Sequence, residues 1–172
     1  MAASVPRVST RQGSTDPERG GLALFLDTQR EALIAKLAGV TESDARSTPT
    51  VSSLSLLGLV QHSATWERRW FQVVVAGRHF PGEWPEVRSR DVDTTFQVSD
   101  DDTIASVIAY YRRQIAESQA ILRVADLDAP CVWPEMSHES VRWVALHMIE
   151  ETARHAGHAD IIRETIDGQR GL

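Results

Sequence analysis

Four stretches of this chain repeat apolar side chains every three or four residues, and none of them alternates with the two-residue period of a strand. The first opens at Asp16-Pro17, a capping carboxylate followed by a residue suited to the first turn. It carries Leu22, Phe25, Leu26, Gln29, Leu33 and Leu37 to about Ala38, where Gly39 ends it. The second is expected from about Leu54 to Val75, capped by Ser52 or Ser53 and stopped at Ala76-Gly77. Asp101 or Asp102 is expected to cap the third, which runs through Val124 with Ile104, Val107, Ile108, Tyr111, Ile115, Ser118 and Leu122 on one face. Ser140 opens the last, Val141 to Asp167, and Gly168 closes it. Four helices of about 20 residues, each with one apolar stripe, predict an all-α four-helix bundle.

Between these stretches, Thr41 to Pro49 reads as a connection with room for a turn of helix. Residues 78–102, with Pro81, Gly82 and Pro85, read as a long irregular crossover able to cover a site. A further loop carries Pro130 and Pro134. The connections after the second and third helices are long enough to cross the bundle. Residues 1–14 lack apolar periodicity and are expected to form a loose tail, leaving residues 15–172 as one bundle domain.

Of the chain's 172 residues, 24 are acidic and 18 basic, a net charge of -6 that argues against binding to nucleic acid or to an anionic membrane. No stretch reaches the roughly 18 apolar residues that a spanning helix needs, and the first residues lack an apolar signal core. The single cysteine, Cys131, has no internal disulfide partner. Together these features lead to an expectation of a cytoplasmic protein.

The last helix carries the chemistry. At about 100° per residue, Glu151 and His155 fall in the sector of Val141, Val144, Met148, Ala159, Ile162 and Ile166. A carboxylate facing a core costs several kcal/mol unless it is partnered, and a metal ion is one such partner. Being four apart, the two side chains project from successive turns toward one point. On the second helix His62 interrupts the stripe of Leu59, Trp66, Trp70 and Val73 in the same way. Two imidazoles and one carboxylate would hold a divalent ion and leave positions open for water or substrate.

Plainer readings exist for each residue. A lone histidine on an apolar stripe can be a core residue bonded to a carbonyl, and Glu151 with His155 can be a surface pair. His147 and His158, at the edge of the face, are candidates to replace or add to the ligands, or to orient them. Trp66, Trp70 and Trp143 read as core residues with pocket lining as the alternative, Cys131 as a bystander, and Arg68 and Arg69 as part of a solvated face with contact to an anionic substrate as the alternative.

Leu-Gly-Leu-Val-Gln-His over Leu57 to His62 and Arg-Trp-Val-Ala-Leu-His-Met-Ile-Glu-Glu-Thr-Ala-Arg-His-Ala-Gly-His-Ala-Asp over Arg142 to Asp160 resemble the two signature stretches of the DinB-like superfamily. The likeness is to an uncharacterised actinobacterial branch related to the metal-binding domain of mycothiol-dependent maleylpyruvate isomerase. It implies a four-helix bundle with a crossed helix order and a divalent metal, often zinc or nickel, while the set of two imidazoles and one carboxylate read above also suits iron. Many members carry three histidines, and Glu151 stands where the first of the spaced pair falls. The isomerase relatives share the His, Glu, His set, which maps onto His62, Glu151 and His155.

The resemblance further implies a low-molecular-weight thiol, mycothiol or bacillithiol, as cofactor or co-substrate, and hence a metal-dependent thiol S-transferase acting on a small electrophile. The alternatives are a metal-dependent hydrolase and a non-catalytic bundle in which the metal cross-links helices or a ligand is only bound. A homodimer is the base-rate expectation for assembly.

Overall fold

The computed structural model describes residues 16–84 and 92–171. The tail expected over residues 1–14 and the part of the crossover around Pro85 lie outside the described residues. α1 spans Pro17–Ala35, with the Asp16 carboxylate accepting from the backbone N–H groups of Glu18 and Arg19. It ends three residues earlier than the sequence suggests, because its last turn tightens before Gly39 takes the left-handed conformation at φ 77°. The expected turn in the first connection is α2, Glu42–Arg46.

α3 covers Leu56–Glu67 and continues as a π-helix over Arg68–Val75. Its cap is Ser55, not Ser52 or Ser53, with the hydroxyl accepting from Gly58 N–H. A 3-10 turn, Val92–Phe96, lies within the crossover. α4 spans Ile104–Val124 and is capped by Thr103, with Ser106 completing a reciprocal capping box. Neither Asp101 nor Asp102, the two expected caps, takes that place; Asp102 instead accepts from Ser99 N–H and closes the preceding turn. α5 is Val141–Asp167, opened by Ser140 and closed by left-handed Gly168 as its sequence predicts. Among the described residues there is no strand, and no helix is long and apolar enough to cross a membrane.

α1 packs on α5 and α4, while α3 packs on α4 and α5. α1 and α3 therefore face each other across the bundle diagonal, as do α4 and α5. The order is crossed, and loop length pointed to one of the two crossings, the one after α4. The connection after α1 and the one after α4 run diagonally, whereas the long segment after α3 leads to an adjacent helix.

A polar layer divides the apolar core. On one side Leu33, Leu57, Val60, Val107 and Ala159 pack together, and on the other Leu26, Phe71, Leu122, Val144 and Met148. Between them lie Arg30 of α1, Glu67 of α3, Ser118 of α4 and Thr152 of α5, all buried. The Arg30 guanidinium grips both Glu67 oxygens, Nε reaching Oε2 at 3.2 Å and a terminal nitrogen reaching Oε1, and it also donates to Asp27 at 2.6 Å. This forces a rotation of α1 relative to its apolar pattern: Arg30 turns inward while Phe25, read as a stripe residue, is 61% exposed.

Gly58 shows a second constraint. A Cβ there would overlap the carbonyl of Phe96, so only glycine lets the 3-10 turn settle against α3.

Two outcomes follow from this packing. Glu67→Ala should cost about 3–5 kcal/mol by leaving a buried guanidinium uncompensated, whereas Arg30→Met with Glu67→Leu should restore most of that loss, both read from urea denaturation midpoints. Gly58→Ala should destabilise by about 1–3 kcal/mol and release the 3-10 turn, seen as faster amide hydrogen exchange over residues 94–98.

Candidate functional site

His62 reaches the site from the middle of α3, and Glu151 and His155 reach it from successive turns of α5. The two imidazoles meet edge to face, ring centres 4.7 Å apart. His155 Nε2 lies 3.7 Å from Glu151 Oε2. The residues named from the sequence therefore converge. They stand on the wall of one cavity of about 310 Å³, which Trp66, Trp70, His147 and Met148 complete.

The two imidazoles are held differently. His62 Nδ1 is 2.6 Å from Thr95 Oγ1, and the ring stacks on Phe96 with centres 3.8 Å apart. When Nδ1 donates to this hydroxyl, the lone pair remains on Nε2. Thr95 and Phe96 come from the 3-10 turn inside the crossover, where no apolar period marks them in the sequence, and they were missed for that reason. His155 is buried, and neither of its ring nitrogens has a hydrogen-bond partner among the described residues. A core histidine bonded to a carbonyl, the plainer reading of such a residue, does not describe it.

Burial lowers the His62 pKa to about 3, helped by His155 and Arg69. Burial likewise lowers that of His155, opposed by Glu151 and reinforced by His158 and Arg154. Both imidazoles are therefore neutral near pH 7, the state that ligates a cation. Glu151 is half-buried and its Oε1 accepts from Arg154 at 2.5 Å. Among the described residues no group of three or more His, Cys, Asp or Glu side chains is assembled in metal-binding geometry. What fits a metal ion is the donor set: two neutral imidazoles, one with both nitrogens buried and unsatisfied, beside a carboxylate.

The remaining candidates separate. His147 lies in the cavity wall, stacked on Trp143 and edge-on to Trp70, with ring centres 4.9 and 4.6 Å away. His158 stands 5.8 Å from the His155 ring and faces a different cavity beside Thr50, Leu54 and Ile162. Trp66 and Trp70 are half-buried and line the site, so the pocket-lining alternative describes them better than the core one. Cys131 is buried, and burial followed by Glu139 raises its thiol pKa, as suits a bystander. Arg68 and Arg69 depart from a solvated face: Arg68 lies over Phe80, and Arg69 over Trp66 and Trp84.

Comparison with known proteins bears on fold and family. A crystal structure of the conserved protein of locus from Enterococcus faecalis superposes with a TM-score of 0.62 at 15% identity, covering 86% of this chain and 96% of that one, which shows a shared fold. No curated protein matches. The family model described as mycothiol-S-transferase matches residues 21–168, and this stretch includes both signature segments and all three converging side chains. The chain belongs to the mycothiol-S-transferase family, a DinB-like family.

Proposed function

We propose that the chain is a metal-dependent S-transferase that joins a low-molecular-weight thiol of the mycothiol kind to a small electrophile. The observation that carries this reading is His155, whose two buried ring nitrogens have no hydrogen-bond partner among the described residues, beside His62 and Glu151 on the wall of a 310 Å³ cavity, in a chain of this family. His62, Glu151 and His155 would hold a divalent ion, zinc or nickel before iron. Its positive charge would favour thiolate over thiol at neutral pH.

The chain's own residues supply the rest. Thr95 and Phe96 hold the His62 ring in one orientation. Trp66, Trp70 and Met148 make the cavity wall largely apolar, so bound reactants are screened from water that would otherwise compete with sulfur. His147 shares this wall, and burial lowers its pKa, so it is neutral near pH 7 and suited to accept the thiol proton. Arg154 engages Glu151 and would compete with a metal for that carboxylate.

Protein purified without chelators should carry about one equivalent of zinc, nickel or iron per chain, and His155→Ala should lose most of it, as read by elemental analysis. Conjugation of an electrophile should require added thiol; turnover of an ester or amide without thiol would favour the hydrolase instead. Failure to take up any of these ions after reconstitution would end the metalloenzyme reading.

The metal-free protein should also lose stability in acid. An unfolded imidazole titrates near pH 6.5, whereas folded His62 resists protonation down to about 3. Below 6.5 the unfolded state binds the extra proton, so this contribution is fully present above 6.5 and declines as pH falls toward 3. Between pH 7 and 5 it amounts to about 2 kcal/mol, and His62→Gln should remove that part of the slope in urea titrations of metal-free protein.

A further inference from the structure

A second cavity, of about 340 Å³, has walls that include Thr65, Arg68, Arg69, Phe80, Trp84 and Tyr110. Its two cations are not equivalent. Arg68 is neutralised, its guanidinium lying 3.8 Å over the Phe80 ring with terminal nitrogens 2.7 and 2.9 Å from the two Glu83 oxygens. Arg69 is half-buried and has neither a hydrogen bond nor an ion pair among the described residues. Its guanidinium carbon instead sits 4.9 Å from the Trp66 ring centre and 5.5 Å from that of Trp84.

A guanidinium partly withdrawn from water, lying over two indoles and denied direct contact with Glu83 by its neighbour, is a fixed positive charge with no ion pair among the described residues. The flanking rings hold its planar fork in one orientation, and a planar carboxylate is the anion that this fork matches with two parallel hydrogen bonds. Trp66, over whose ring Arg69 lies, belongs to the wall of the first cavity, so Arg69 links the second cavity to the wall of the space that His62 and His155 face.

We propose that this second cavity is a carboxylate-binding subsite centred on Arg69, and that it selects an electrophile carrying a carboxylate on a flat, apolar body. The role as an electrophile rests on the transferase reading above, whereas the anion site stands or falls separately. Arg69 binds the carboxylate, and Trp84, in the same wall, covers the flat face of the body. Glu83 keeps Arg68 from competing and rejects ligands with a second negative charge close by.

The test is direct binding of benzoate and of benzamide, its uncharged isostere, to the full chain by calorimetry, with metal content measured on the same samples. Benzoate should bind wild type at least about tenfold more tightly than benzamide, as expected for a charge-assisted pair, and weaken as salt is raised. Arg69→Gln should abolish that preference with melting temperature and metal content unchanged, and Arg69→Lys should restore part of it. Glu83→Gln, which frees Arg68, should tighten benzoate without affecting benzamide. Equal binding of the two probes, no binding of either, or a benzoate preference that survives in Arg69→Gln would each overturn the subsite. A wild type that holds no metal yet prefers benzoate, with the preference lost in Arg69→Gln, would uphold the subsite and overturn only the transferase reading.

Discussion

The buried ion pair between Arg30 and Glu67 is the contact on which the geometry of the bundle depends. It spans the diagonal from α1 to α3, and its charges have exchanged water for each other, so neither helix can rotate or slide without stranding one of them. Such a pair is weak as a source of net stability, since both ions lose hydration on burial. As a device for register it is strong, because apolar stripes tolerate small shifts and a two-pronged guanidinium contact does not. The half-exposed Phe25 stripe of α1 reflects this: hydrophobic pattern yields where a charge must be met.

The same layer prepares the site. Glu67 is the last α-helical residue of α3, and the π-helical continuation begins directly after it, at Arg68. Wider turns alter the angular spacing of side chains, which places Trp70 on the first cavity and leaves Gln72 buried against Gln114 at 2.8 Å. Thr152, the α5 member of the layer, also lines that cavity. The interior polar layer and the candidate metal centre thus form one continuous stretch of buried polarity, bounded on both sides by close-packed apolar residues.

Much of the fold was legible because its cues are local. Each long helix announces itself by a period of 3.6 and an oxygen-bearing cap, all but α4 also by a glycine soon after its end, and α5 is bounded as its sequence predicts. Caps at α3 and α4 were displaced by one to three residues because several Ser, Thr and Asp residues cluster there and only the final backbone path selects which oxygen meets the free N–H groups. The convergence of His62, Glu151 and His155 was legible too, since each breaks an apolar stripe and a buried polar side chain needs a partner.

What the sequence by itself determined is the set of helices and the faces on which polar residues intrude, because periodicity and capping act over a few residues. Tertiary structure alone decided that Arg30 pairs with Glu67, that Thr95 and Phe96 hold His62, and that Arg69 is wedged between two indoles. Those contacts join residues far apart in the chain, and their geometry depends on how the helices cross, which no local pattern records.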